Sequence, residues 1–371
     1  MLYRLSATRQ LVNILESFLP EGYENPPALS DLGKQALLYD WLGVALDLVG
    51  RPGNALIIYK LGISKNEELL RDAQVAEALG NLSDANLHMG RIYDSELSAL
   101  RAILLNLNRK NDAVSRAVNM QYLGLCRAIR GEISQAKQLL EEARNLALTR
   151  DAQQAGVACA YLAQVLFWDN WPEGKERVES LIREAESISK YLGYERDIIR
   201  CSRLYGAMYL RLDQRDKAET YLSNALKRAR AVNYVREELL ALIDLASLRL
   251  SEGKPAAALE LLDESWEIAE TGPYPLLLSD AWNVVARSRL ALGERNSAIE
   301  AAIQACRYAW CDGPPFSYHW GLEAGLAFLR QIGSSDFTGS EAFNTAGREL
   351  LPVLPPNFYN LPNPADLEPN K

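Results

Sequence analysis

The sequence has only two histidines and five cysteines among its 371 residues, and neither type is spaced for metal chemistry. The cysteines, at 126, 159, 201, 306 and 311, are odd in number, widely separated and without a CxxC pair. Disulfide frameworks and zinc sites need clustered cysteines, so these read as reduced thiols of a cytoplasmic protein with no metal and no cofactor. No run of 18 apolar residues occurs, so a membrane-spanning helix is not expected. The opening MLYRLSATRQLVNIL reads as lacking the apolar core and small-residue cleavage site of a secretory signal. A basic footprint is missing as well: the formal charge is −8, which argues against nucleic acid as a partner. The phosphate loop GxxxxGK followed by Ser or Thr is absent, because Gly33-Lys34, Gly174-Lys175 and Gly253-Lys254 lack the upstream glycine. GxGxxG, HExxH and GxSxG are absent too.

What the chain does have is a repeat. Leu42-Gly43 is followed by Gly50, Ala55 and Gly62, and Leu123-Gly124 by Gly131, Ala136 and Ala143 at the same offsets. Leu245-Ala246 and Val285-Ala286 begin two more copies, and weaker ones start at Leu82-Ser83, Leu162-Ala163 and Tyr205-Gly206. The small residues fall at 43, 83, 124, 163, 206, 246 and 286, with intervals of 40, 41, 39, 43, 40 and 40. Such a period marks a stacked array of one supersecondary unit. The long interval contains DNWPEGK, about three extra residues that read either as a longer turn or, through Trp171, as part of a rim.

Each unit reads as two helices, with apolar residues at three- and four-residue steps, as in AVNMQYLGLCRAI and ISQAKQLLEEARNLAL. The mid-unit glycine ends the first helix, where a left-handed residue is wanted. The small residues let two helix backbones approach, so Ala136→Leu or Ala258→Leu is expected to overpack, at a cost of roughly 1–3 kcal/mol.

These residues resemble the tetratricopeptide repeat over about 36–310, with a unit of about 40 residues in place of 34. The resemblance implies an all-α, right-handed superhelical solenoid of about seven helix pairs with helical caps; longer HEAT or armadillo units are the alternative. Residues 1–30 would form a capping helix (7–18) and a proline-rich entry, with Ser30 capping the first repeat helix. The repeats would fill 31–316. Residues 317–351 would hold a cap helix opened by Ser317 and a short helix over 340–351 capped by Ser340. Residues 352–371, with six prolines, would be an extended tail, disordered or laid along the solenoid and anchored by Phe358, Tyr359 and Leu361.

The resemblance also implies a concave groove lined by the first helix of each unit. Counted from the small residue, the groove positions are Gln164, Phe167 and Trp168 in the fourth unit and Arg200, Arg203 and Arg211 in the fifth. The seventh gives Asp280, Asn283 and Arg287, and Tyr318 closes the groove end. Asp40, Asp47, Glu77 and Asp84 make its early half acidic, and the arginines make its later half basic. Arginine forks suit carboxylate and phosphate, so the groove is expected to take an anionic peptide segment or small anionic ligand. On that reading, Arg200→Glu with Arg203→Glu abolishes binding without lowering helicity. The bland alternative pairs these arginines with Glu195, Asp197 and other acids on a wet surface. His88, in the second unit's groove stripe, reads as a satisfied histidine.

Two stretches sharpen the resemblance. YPLLLSDAWNVVARSRLALGERNSAIEAAIQACRYAWCDGPPFSYHWGLEAGLAFLRQIG and LPEGYENPPALSDLGKQALLYDWLGVALDLVGRPGNAL resemble the sensor repeats of bacterial STAND signalling ATPases. In that family the repeats follow an ATPase and release it when a ligand or partner binds, in transcription control, phage defence or cell death. The chain would then be a non-catalytic sensor module, either part of a full-length protein with an N-terminal ATPase domain or a free-standing relative. The alternative is a structural scaffold or self-assembly module with its proline-rich tail bound in a groove. A third reading takes Cys311 and His319 in CDGPPFSYHWGLE as a thiol–imidazole pair. Against it, Cys311 ends a helix, whose partial negative charge raises a thiol pKa, and no oxyanion-stabilising element accompanies the pair.

Overall fold

The computed structural model describes residues 8–107, 113–169, 171, 174–334, 337–339, 343–344, 346–356 and 358. Among these there are sixteen α-helices and no strand. A lead helix, α1 (Thr8–Glu16), precedes seven antiparallel pairs. They are α2 (Leu32–Leu48) with α3 (Pro52–Glu68), α4 (Asp72–His88) with α5 (Ile92–Leu107), and α6 (Ala113–Ile129) with α7 (Ile133–Ala147). Next come α8 (Ala152–Asp169) with α9 (Lys175–Leu192), and α10 (Glu195–Arg211) with α11 (Arg215–Ala231). The last are α12 (Val235–Ser251) with α13 (Pro255–Thr271), and α14 (Pro275–Ala291) with α15 (Arg295–Trp310); α16 (His319–Gln331) closes the series. No helix of the described residues is long and apolar enough to cross a membrane.

The repeated small residues sit where the two helices of a unit touch. A Cβ on Gly43 would lie 2.5 Å from the Tyr59 ring, and one on Gly206 2.5 Å from Leu222, so the second helix fills the space a side chain would need. Ala136 and Ala258 are fully buried, consistent with the expected cost of enlarging them. The mid-unit turn residues Gly50, Gly90, Gly131, Gly253 and Gly293 all have positive φ. In the degenerate fifth unit Asp213 takes the same left-handed conformation, at φ 54°, so the turn geometry survives the loss of glycine.

Three local expectations are corrected. Asp31, rather than Ser30, caps α2: its carboxylate accepts the Lys34 N–H at 2.8 Å. Tyr318, rather than Ser317, is the residue before α16, and Ser317 is buried. No helix occurs in the described residues of 340–351; Gly347 is left-handed at φ 74° and Pro352 disfavours helix at Leu351. Ala7, Ser340, Tyr359 and Leu361 lie outside the described residues, as does part of DNWPEGK; Trp171 stacks on Phe167 at 5.0 Å.

The array comes back on itself. A Cβ on Gly50 would lie 2.7 Å from Val235, one on Gly90 2.6 Å from Pro275, and one on Gly131 2.9 Å from His319. The turns of the first, second and third units therefore abut the first residues of α12, α14 and α16, five units further on. Helix C-terminal ends face helix N-terminal ends at each contact, an arrangement the helix dipoles favour. Long-range bonds reinforce it: Asp312 accepts the Tyr93 N–H at 2.9 Å, and Arg130 Nε donates to the Pro315 carbonyl at 3.1 Å. One hydrophobic cluster accordingly joins Leu87, Ile92 and Ile129 to Leu239, Leu278 and Phe316.

Candidate functional site: the concave cavity

Closure of the array turns the concave face into a two-part cavity lined mostly by first helices. The early part, about 480 Å³, is lined by Asp47, Glu77 and Asp84 with Asn81, Asn119 and Arg196. The later part, about 420 Å³, is lined by residues of α4, α6, α8, α10, α12 and α14 and by Tyr318. Its apolar wall includes Leu87, Ile129, Trp168, Leu240 and Leu276.

Between the two parts lies a charged clasp. His88 Nδ1 is 3.5 Å from Asp47, and Nε2 is 3.4 Å from Asp84. The Arg236 guanidinium from α12 contacts His88 Nε2, lies 3.8 Å from Asp84 and donates to the Tyr234 hydroxyl at 3.0 Å. The sequence suggested no metal-ligand cluster, yet Asp47, Asp84 and His88 bring their ligand atoms within 4.8 Å of one another. They come from two units, which spacing along one helix cannot reveal. Arg236 already supplies positive charge to this cluster, so a cation would have to compete with it.

Arg200 and Arg203 are buried rather than set on a wet surface. Arg203 donates to Glu237 at 2.9 Å, Asp244 at 3.3 Å and Gln164 at 3.2 Å. Arg200 lies over the Tyr161 ring at 4.8 Å, donates to the Tyr234 hydroxyl at 3.2 Å and is 3.6 Å from both Asp197 and Glu237. Burial would raise the Glu237 carboxyl, but the charges of Arg203, Arg200 and Arg236 hold it below the ordinary carboxylate range. Glu195, assigned to this group from sequence, instead binds Arg228. The double glutamate substitution would thus set two more carboxylates beside Glu237, and helicity would not survive it as expected.

Arg211 and Arg287 differ. Both side chains are exposed to solvent inside the concavity. Arg211 donates to the Phe167 carbonyl at 2.6 Å and lies over its ring at 4.9 Å. Arg287 donates to the Asn283 carbonyl at 3.1 Å. Neither makes a salt bridge among the described residues. Near them, Tyr318 donates its hydroxyl to Asp280 at 3.1 Å. Burial pushes the Asp280 carboxyl up to about 7, partly offset by that hydrogen bond. The later lining holds five arginines against four carboxylates, so it is close to balanced rather than strongly basic.

No protein-family model matches the sequence, and no curated protein does. Solved structures match the fold. A Rap protein complexed with competence and sporulation factor is 16% identical over 88% of this chain and 82% of that one, with a TM-score of 0.62. The Rap conjugation gene regulator of plasmid pLS20, in complex with the Phr peptide, is 14% identical over 88% and 96%, at 0.51. A STAND protein with a tetratricopeptide-repeat sensor from Pyrococcus horikoshii is 16% identical over 80% of this chain, at 0.50; the match spans 42% of its length. The fold is a tetratricopeptide-repeat solenoid.

In this solenoid, nine of the ten later-groove residues picked from sequence line the later cavity: Gln164, Phe167, Trp168, Arg200, Arg203, Arg211, Asp280, Arg287 and Tyr318. Asn283 does not. It is buried, and its amide donates to the Ser279 and Gly321 carbonyls at 3.1 Å, tying α14 to α16. The sixth unit was the omission: Arg236, Glu237, Leu240, Asp244 and Ser247 all line the cavity. Its small residue is Ala246, and the groove offsets already point to Leu240 and Ser247. The charged members lie one turn away on the same stripe.

Cys311 and His319 have separate partners. The thiol donates to the Tyr308 carbonyl at 3.5 Å, and burial pushes it up to about 12. The imidazole packs edge-on against Trp320 at 4.9 Å and beside Gly131. A protonated thiol bonded to a carbonyl is a poor nucleophile.

Proposed function

We propose that this chain is a non-catalytic recognition module whose later cavity takes a short peptide or small ligand bearing an anionic group. The observation that carries the reading is the pair Arg211 and Arg287. Their guanidiniums stand exposed in a concavity, hydrogen-bonded only to backbone carbonyls and without a salt bridge among the described residues, with Arg211 also over the Phe167 ring, beside an apolar wall. Walls that desolvate an unpaired arginine make an incoming carboxylate or phosphate a strong partner. A cavity of about 420 Å³ falls in the ordinary range for such ligands. The complex of the plasmid pLS20 Rap regulator with the Phr peptide supports a peptide as occupant. The likeness to the repeat sensor of the STAND protein supports the finer reading, in which occupancy controls a signalling ATPase.

The test is capture from a fluorescent hexapeptide library with one position fixed at a time. Enrichment of Asp or Glu by the wild-type chain, lost in Arg211→Ala/Arg287→Ala, supports the reading. Equal capture by the double variant places the ligand elsewhere. The scaffold alternative is not favoured by a groove-bound tail, because the described tail residues do not line either part of the cavity.

A further inference from the structure

Beyond α16 the chain returns to the outer face of the second and third units. Tyr93, at the start of α5, is the joint. Its N–H donates to Asp312, its hydroxyl donates to the Glu349 carbonyl, and its ring packs on Phe316 at 5.0 Å and Phe343 at 4.9 Å. Arg348 lies over the Tyr93 and Phe343 rings at 5.5 and 5.0 Å, and is 3.7 Å from Asp94. Arg101 lies 3.7 Å from Glu349.

The next residues keep a three-residue period. Leu350 and Val353 are 79% and 87% exposed, while Leu351 and Leu354 turn inward to the cluster of Leu100, Ile103, Leu139 and Leu146. That is the period of a polyproline helix, which Pro352, Pro355 and Pro356 favour. Phe358 then turns in, its N–H bonded to the Pro355 carbonyl at 2.9 Å, and is buried in the same cluster. The prolines have no N–H to satisfy, so the segment docks by side-chain anchors on helices already satisfied internally.

We propose that the outer face of the second and third units is a recognition site for an extended segment of the form Leu-x-x-Leu-x-x-x-Phe, filled in cis by this chain's own tail as a releasable strap. Three apolar anchors, two partly exposed ion pairs and one backbone bond hold it, and half of the segment faces solvent. Because Tyr93 holds both the strap and Asp312, seating the strap braces the contact that closes the array around the cavity. The inference stands apart from what the cavity binds.

The experiment uses the full chain and a fluorescein-labelled peptide of residues 346–358. In Leu351→Ser/Leu354→Ser/Phe358→Ser the tail is unseated, and the peptide is expected to bind one to one. The wild-type chain, whose own tail competes at high effective concentration, should bind it at least about tenfold more weakly. A peptide carrying the same three serines should bind neither. The proposal is overturned by equal binding to both chains, or by no binding to a fully helical triple variant. It is also overturned if the wild-type chain is a dimer that the triple variant dissolves, since the site would then hold a second copy's tail. If the triple variant loses helicity, Phe358→Ser alone is used with hydrogen exchange. Faster exchange confined to α5 and α7, reversed by added peptide, supports the strap; no reversal rejects it.

Discussion

The indole of Trp320 donates its Nε1–H to the Ala128 carbonyl at 2.8 Å across 192 positions, while its ring stacks on Trp168 at 5.7 Å. One side chain of α16 thus adds a second donor to a last-turn carbonyl of α6 and packs on Trp168 of α8, which lines the cavity. Trp320→Phe should keep the stack and lose the hydrogen bond, at about 1 kcal/mol. Trp320→Ala should cost about 3 kcal/mol. Urea denaturation followed by circular dichroism separates the two.

Gly90 and Gly253 occupy the same repeat position with φ of 70° and 74°, yet only Gly90 meets a neighbour. A Cβ there would lie 2.6 Å from Pro275 and 3.3 Å from the Cys311 sulfur; at Gly253 nothing lies within 4 Å. Gly253→Ala should show only the left-handed strain of about 1 kcal/mol. Gly90→Ala should add overpacking, for a total of about 2–4 kcal/mol. Small-angle scattering should find the larger radius of gyration in Gly90→Ala alone.

Arg203 and Arg211 lie eight residues apart on α10 and have opposite roles. Removing Arg203 leaves Glu237 and Asp244 without their shared partner, so Arg203→Ala is expected to cost about 3–5 kcal/mol. Arg211→Ala should change stability by less than about 0.5 kcal/mol. Chemical denaturation of the two variants side by side checks the contrast.

Asp280 links stability to pH. Its folded-state pKa, about 7, lies above the unfolded value, so the protonated form is favoured on folding. The stabilisation is complete below about pH 4, where both states are protonated, and is lost as pH rises through 7. Asp280→Asn cannot ionise. It should therefore be more stable than wild type at pH 8, by about 1–3 kcal/mol, with the gain gone by pH 4. Thermal melts of both chains at the two pH values test the sign.

Much of the architecture is local and therefore legible. The 40-residue spacing and the small residues at helix contacts mark all seven pairs, and left-handed turn residues mark six of them among the described residues, because each depends on neighbours within one unit. Groove positions follow from the same register, which is why Gln164, Phe167, Trp168 and Arg211 reach the cavity. Asn283 obeys the same offsets but is taken up by the Gly321 carbonyl of α16, a partner 38 residues away.

By itself, then, the sequence determined the helices, their pairing and the face that each first helix turns inward, since these rest on periodicity and backbone preference. The tertiary structure alone decided that five units complete a turn, bringing Gly50 to Val235 and His88 to Arg236. It also decided which arginines are neutralised, burying Arg203 against Glu237 while leaving Arg211 and Arg287 exposed in the concavity without a salt bridge among the described residues. The physical reason is that superhelical pitch accumulates from small rotations between units. No single repeat encodes that sum, and the electrostatic partner of a charge depends on it.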